Sequence, residues 1–93
     1  MKKIVTTPSV DISLSTLDAN RERGVRSWFT YLERWDTDEA VRRSSVPLPE
    51  LPGVFLLITP TDLRIFFRID GDTITVLDLA NRSAILASGG VPG

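Results

Sequence analysis

Apolar and polar side chains alternate most clearly over residues 63–70, which read LRIFFRID. A period of two is the pattern of a β-strand that buries one of its faces. A second alternating run, TITVLDL, begins at Thr73, directly after an Asp70-Gly71-Asp72 segment. Asp-Gly is a preferred central pair of a two-residue type I′ turn. The pattern therefore predicts a β-hairpin with Asp70 and Gly71 at its tip.

A tip at Asp70-Gly71 fixes which residues of the two strands face each other. Phe67 would face Ile74, and Arg64 would face Leu77. This register predicts an apolar face made of Leu63, Ile65, Phe67, Ile69, Ile74 and Val76. It predicts an opposite face, rich in arginine, made of Arg64, Phe66, Arg68, Thr73, Thr75, Leu77 and Leu79.

The N-terminal segment contains a strand pattern followed by a helix start. The β-branched run at residues 3–6 predicts a first strand. Thr7-Pro8 is typical of a helix N-terminus, because threonine caps the first N–H groups and proline at the first helical position has no N–H to satisfy. The spacing of apolar residues over 10–17 fits either a strand or a helix, and the cap favours a short helix.

Residues 21–35 have the pattern of an amphipathic helix. Its apolar stripe consists of Val25, Trp28, Phe29, Leu32 and Trp35. An aromatic-rich stripe of this kind favours packing on the sheet over a ligand-binding or base-stacking role. Gly24 weakens the first turn, so the regular helix is predicted to begin near Val25, with residues 17–24 as the turn between the helices.

The remaining segments are connections. Residues 36–53 contain three prolines, and residues 37–43 could add one helical turn capped by Asp36 or Thr37. Residues 81–93 are small and glycine-rich, which predicts a loose tail from about residue 86. The order is strand, helix, helix and three antiparallel strands, which predicts an α+β fold of two layers in a single domain over residues 1–93. The helices would cover the apolar face of the sheet and leave the arginine-rich face open.

Composition narrows the possible chemistry. The 93 residues include no cysteine and no histidine, which excludes disulfides, thiol nucleophiles and the commonest general base. Neither a cofactor nor a metal is expected. The formal net charge is −1, from 11 basic and 12 acidic residues, so binding to nucleic acid would require a local basic patch. No apolar run is long enough for a membrane span or a secretory signal, so a cytoplasmic location without membrane contact is expected.

Taken together, several segments resemble the RelE/ParE superfamily of bacterial type II toxin–antitoxin toxins. They are the predicted helical pair with apolar Leu17, Val25 and Leu32, the segment LPELPGVF at residues 48–55, the arginine-containing strand 63–69, the Asp-Gly-Asp tip, the run TVL and Arg82. The resemblance covers nearly the whole chain. It implies a growth-arresting toxin whose partner is a cognate antitoxin protein.

The resemblance to RelE-like members also implies a site. These toxins act as mRNA interferases, cutting mRNA on the ribosome with basic residues of the concave sheet face and inhibiting translation. By position, it implies catalytic roles for Arg64 and Arg82, and RNA or phosphate binding by Arg68 and Phe66. Arginine suits this chemistry, because attack by a ribose 2′-OH builds negative charge on the phosphate. The alternative for Arg64 and Arg68 is a solubilising role, or pairing with Asp62, Asp70 or Asp72.

The chain departs from the RelE-like pattern in two places. Residues 55–58 are FLLI, where RelE-like enzymes commonly carry lysine or arginine, and residues 83–93 contain no aromatic or imidazole group. The one tyrosine, Tyr31, falls in the predicted helix. The alternative is therefore a non-catalytic ParE-like inhibitor of DNA gyrase, or a degenerate toxin fold that only binds its antitoxin. In either case an antitoxin helix or strand is expected to cover exposed apolar surface, such as Leu77, Leu79 and the edge of the first strand.

Overall fold

The computed structural model describes residues 1–87 as one mixed sheet with helices packed on one side. The helices are α1 (Pro8–Ser15), α2 (Ala19–Leu32), α3 (Glu39–Arg43) and α4 (Arg82–Ala87). The strands are β1 (Lys3–Thr6), β2 (Ser45–Pro47), β3 (Val54–Ile58), β4 (Leu63–Asp70) and β5 (Thr73–Asn81). Within these residues no helix has the length and apolarity needed to cross a bilayer.

The strand order is β1-β5-β4-β3-β2, with β1 parallel to β5 and all other neighbours antiparallel. The predicted two-layer α+β fold is confirmed. The sheet has one strand more than predicted, because residues 45–47 of the proline-containing connection pair with β3 as β2. The helical turn predicted within residues 37–43 is α3, which is capped by Asp38. Helix α4 extends to Ala87, while the rest of the predicted tail, residues 88–93, lies outside the described residues.

Both long helices begin at side-chain caps. The Thr7 hydroxyl accepts a hydrogen bond from the Val10 amide at 3.4 Å, and Pro8 is the first helical residue, so the predicted start of α1 is confirmed. A carboxylate oxygen of Asp18 accepts the Arg21 amide at 2.8 Å. This cap starts α2 at Ala19, and the prediction that Gly24 delays the helix to Val25 is wrong. A single glycine lowers the stability of the helix by less free energy than packing and capping of the 14-residue helix contribute.

Gly24 should be a site where alanine stabilises the protein. Gly24 is exposed inside α2, and an added Cβ would meet nothing within 4 Å. Gly24→Ala is expected to raise the free energy of unfolding by about 0.5–1 kcal/mol, because alanine loses less backbone entropy in a helix. The matched control is Gly71→Ala, which has equally open surroundings but a φ of +58° and should destabilise the protein. Urea unfolding of both variants measures the effects, and a destabilising Gly24→Ala would contradict the assignment of this position to a helix interior.

The main core lies between the helices and one face of the sheet, here called the helix face. Its buried members are Val10, Leu14, Val25, Phe29, Leu32, Val41, Leu57, Ile65, Phe67, Ile74 and Val76. The predicted stripe of α2 therefore packs on the sheet, as expected. Trp35 lies beyond the last residue of α2 and still joins this core, with its ring centroid 5.2 Å from that of Phe55.

The tip of the β4–β5 hairpin differs from the prediction. Asp70 pairs with Thr73, so Gly71 and Asp72 are the central residues of the turn. Only Gly71 has a positive φ, as a type II′ turn requires of its first central residue, and the predicted type I′ turn at Asp70-Gly71 is wrong. Phe67 consequently faces Val76 and not Ile74. This shift of two residues leaves every side chain near the tip on its predicted face.

A β-bulge further along the hairpin does change a face. Phe67 pairs with Val76, whereas Phe66 pairs with Asp78, which leaves Leu77 without an opposite residue. The extra residue reverses the alternation of β5 beyond this point. Leu79 now lies opposite Ile65 and packs into the main core, so its predicted place on the arginine-rich face is wrong.

Candidate functional site

The side of the sheet away from the helix-face core holds most of the predicted site residues and is here called the outer face. By strand register it includes Lys3, Val5, Val54, Leu56, Ile58, Arg64, Phe66, Arg68, Thr73, Thr75, Leu77 and Asp78. One part of it is covered. Leu48, from the connection after β2, forms a small buried cluster with Val54 and Leu56. The outer face was expected to be open to solvent, and this is correct only for the part that Leu48 does not cover.

Arg68 lies on the uncovered part of the outer face. It is exposed, and its backbone is paired with Val54 on β3 and Thr75 on β5. None of the ion pairs formed within residues 1–87 includes Arg68, so the pairing with Asp70 or Asp72 considered above is not found there. The guanidinium is thus available to an anion from outside the domain.

Phe66 is next to Arg68 on the same face of β4. Residues two apart on a strand are separated by about 6.5 Å, so an exposed cation and an aromatic ring are neighbours here. The ring is half-buried against the cluster that contains Leu56, and Asp78 lies opposite it on β5. An aromatic surface beside an arginine is an arrangement that can stack a base and contact its phosphate.

Arg64 has a different environment from Arg68. Its side chain is only 4% exposed, and Nη1 donates to the carbonyl oxygens of Thr59, Thr61 and Leu63 at 3.2, 2.9 and 2.8 Å. Nε has no hydrogen-bond partner among residues 1–87. Four residues along a strand also place Arg64 about 13 Å from Arg68. The structure therefore engages this arginine within the protein, at the connection between β3 and β4.

Arg82 is the first residue of α4 and is exposed. Its backbone amide donates to the carbonyl oxygen of Asp62 at 2.7 Å. The amide and hydroxyl of Ser83 donate to the two carboxylate oxygens of Asp62, each at 3.3 Å. The predicted residues thus form two groups, with Arg68 and Phe66 near the middle of β4, and Arg64 and Arg82 on either side of the β3–β4 connection.

Lys3 is a basic residue of the outer face that the sequence interpretation missed. It is exposed and pairs with Thr73 across the parallel β1–β5 ladder, two residues from the Val5–Thr75 pair beside Arg68. The only available signal was the alternation within β1. That signal identifies a face only once the partner strand is known.

Tyr31 lies on the opposite side of the molecule from Arg68. Its ring meets Trp28 edge-on at 5.4 Å between centroids, and its hydroxyl is 3.4 Å from Oγ of Ser44. The guanidinium of Arg34 lies 5.5 Å from the centre of the same ring. Tyr31 therefore packs with the helix-face core and contributes no proton-transfer group to the outer face.

A groove of about 810 Å³ lies between two parts of the chain. One part is the corner between α1 and α2, and the other consists of the first residues of β4 and the last residues of β5. Leu17, Trp28, Leu63 and Leu79 provide apolar walls, and Asp62 contributes to the lining. None of the four predicted site residues lines this groove. Within residues 1–87, no group of three or more histidine, cysteine, aspartate or glutamate side chains is arranged to hold a metal ion.

Comparison with known proteins shows a similarity to a solved structure. The fold is similar to that of a chain in the crystal structure of the RelBE2 toxin–antitoxin complex from Mycobacterium tuberculosis, with a TM-score of 0.60 and 23% sequence identity. The match covers 87% of this chain and 98% of that chain. No protein-family model and no curated protein sequence matches the chain. The similarity establishes the fold.

Proposed function

We propose that this protein is the toxin of a type II toxin–antitoxin system and that it inhibits translation by cleaving mRNA on the ribosome, as RelE-like toxins do. The observation that supports the proposal most is the fold similarity to a chain of a toxin–antitoxin complex, which extends over 98% of that chain. The exposed Arg68 beside Phe66 on the outer face adds a surface suited to RNA.

In this proposal the outer face holds the RNA and Arg82 acts at the scissile phosphate. Phe66 stacks on a base, while Arg68 and Lys3 contact neighbouring phosphates. Arg82 is the catalytic arginine, because a guanidinium stabilises the charge that develops as a ribose 2′-OH attacks phosphorus. In a chain without histidine, a carboxylate such as Asp78 of the outer face takes the 2′-OH proton and passes it to the 5′-oxygen, which leaves as its bond to phosphorus breaks and a 2′,3′-cyclic phosphate forms. Arg64, for which the resemblance also implies a catalytic role, is buried behind this surface and donates to carbonyl oxygens of the chain itself.

The proposed partner of the free toxin is a cognate antitoxin that covers the outer face. Val5 is 39% exposed there, and Leu77 is only partly buried against the Leu48 cluster. Apolar residues in such positions suit a partner segment that also neutralises Arg68. Leu79 is no longer part of this surface, because it packs into the main core.

A second candidate function is a ParE-like or otherwise non-catalytic toxin fold that acts by binding alone. Two observations favour it. Arg64 is already bonded to three carbonyl oxygens, and Tyr31 lies on the side of the helices. DNA gyrase, or only the antitoxin, would then be the target.

Pulse labelling after induction in a bacterial host distinguishes these functions. Incorporation of labelled methionine should fall within minutes and before that of thymidine, because translation is the proposed target. The matched control is Arg68→Glu, produced at the same level, which reverses the charge at position 68 of the outer face and should delay the arrest. If thymidine incorporation falls first, gyrase becomes the target. If neither falls, binding to the antitoxin alone is the function.

A further inference from the structure

The connection between β3 and β4, residues 59–62, is held by two buried polar side chains. Arg64 donates to the carbonyl oxygens of Thr59 and Thr61 from one side. Thr59 is also 4% exposed, and its hydroxyl lies 2.8 Å from that of Thr61 and donates to the Leu63 carbonyl oxygen at 2.9 Å. Buried polar groups with several partners fix a single backbone conformation. Residues 59–62 lie between the two strands and are thus held to the sheet by these side chains.

The same connection holds the start of α4. Asp62 receives three hydrogen bonds from Arg82 and Ser83, two of them from backbone amides. Helix α4 has six residues, which is too short to be stable without contacts to the rest of the protein. Residues 82–84 are exposed, so little burial of their side chains helps to fix them. Asp62 therefore helps to fix the position of Arg82, together with the pairing of Asn81 with Leu63 at the end of β5.

We infer that Arg64 is a positioning residue that holds residues 59–62 in place and, through Asp62, fixes the start of α4 and hence Arg82. The effect of Arg64 on the position of Arg82 does not depend on the proposed function. Only the consequence for RNA cleavage rests on it, because there Arg82 is taken to act on RNA. It assigns Arg64 to the folded chain and not to direct contact with the substrate.

The chemistry of the contact explains why a cation is needed. Hydrogen bonds from a charged donor are stronger than neutral ones, and one guanidinium nitrogen here serves three carbonyl oxygens. An apolar replacement would leave these oxygens without their donor. A lysine ammonium carries three donors and no acceptor, so it can serve the same carbonyl oxygens. Lysine cannot reproduce the planar, two-pronged contact of arginine with a phosphate.

Amide hydrogen exchange of the full chain tests the inference. Arg64→Met should speed exchange of the amides of residues 82–86 by about tenfold, the effect of one lost charge-assisted hydrogen bond. Arg64→Lys should keep exchange there close to that of the unmodified protein. The matched control is Arg68→Met, the same change on the same strand and face, which should leave these amides unaffected. Thr59→Val, which removes the other buried group, should also speed exchange in α4 and serves if Arg64→Met does not fold.

The link through Asp62 requires a double variant. Asp62→Ala removes the two hydrogen bonds from Ser83 but keeps the carbonyl oxygen that accepts from the Arg82 amide. In that background, adding Arg64→Met should speed exchange of residues 83–86 less than it does in the unmodified chain. Inhibition of translation should be retained by Arg64→Lys and lost in Arg64→Met. Unchanged α4 exchange in folded Arg64→Met, or damage by Arg64→Lys equal to that by Arg64→Met, would overturn the inference. If the unmodified protein does not inhibit translation, the proposed function fails, while the exchange rates still decide the role of Arg64.

Discussion

Replacing Phe67 with alanine is expected to lower the free energy of unfolding by about 3–5 kcal/mol, the cost of deleting a buried phenylalanine side chain. Phe67 is fully buried near the middle of β4. Its ring is stacked with Phe55 at 5.5 Å and meets Trp35 edge-on at 5.8 Å. No smaller side chain can keep both aromatic contacts. Small domains have about 5–15 kcal/mol of stability in total, so urea unfolding at low temperature is the suitable measurement.

Phe66→Ala is the matched control for this experiment. It makes the same change one residue earlier, on the outer face, where the ring is half-buried. The expected loss is about 1–2 kcal/mol, because less apolar surface returns to water. Equal losses for the two variants would contradict the assignment of the main core to the helix face. A folded Phe66→Ala variant also allows the RNA-binding role of this ring to be measured without loss of the fold.

Arg82→Ala is expected to slow ribosome-dependent mRNA cleavage by about 100-fold, the loss typical when one preorganised donor to a developing oxyanion is removed. The hydrogen bond from the backbone amide of residue 82 to Asp62 should persist, because alanine retains this amide. Alanine is also a good helix former at the first position of α4. Single-turnover cleavage of an mRNA bound to purified ribosomes gives the rate, and urea unfolding checks stability.

Arg23→Ala is the control for the charge lost in Arg82→Ala. Arg23 is exposed on α2, where it donates to Asn20, and its removal changes the net charge by the same amount. Cleavage by Arg23→Ala should stay within about twofold of the original rate, as is usual for surface substitutions away from a site. Similar losses in both variants would point to overall charge as the cause. An unmodified protein that leaves ribosome-bound mRNA intact would favour the binding-only function.

Local signals in the sequence predicted much of the fold. The alternation over residues 63–70, the Thr7-Pro8 helix start and the stripe of α2 all depend on near neighbours, and the structure confirms them. The hairpin register does not depend on near neighbours alone. Asp70-Gly71 and Gly71-Asp72 are both acceptable turn centres, and the choice between them follows from pairing along the whole of β4 and β5. The bulge at Leu77 likewise places Leu79 against the main core. A short stretch of sequence does not show this contact.

The candidate site was predictable only in part for a similar reason. Alternation placed Phe66 and Arg68 correctly on one face, because that face is a property of one strand. The burial of Arg64 depends on three carbonyl oxygens that the chain gathers around it when residues 59–62 turn back. The place of Lys3 depends on a strand 70 residues further along the chain, with which Lys3 pairs at Thr73. The spacing of residues along the sequence predicts neither the burial of Arg64 nor the pairing of Lys3.

The parallel pairing of β1 with β5 also determines when during synthesis the sheet can be completed. Residues 3–6 leave the ribosome early, but their hydrogen-bonding partners are residues 73–76. Contacts between such distant segments form late, because the chain between them must first be ordered. In a nascent chain shorter than 73 residues the outer face is therefore incomplete, because Lys3 has no Thr73 beside it. A protein that acts on the ribosome by way of this face would remain inactive while the ribosome that makes it is still extending the chain.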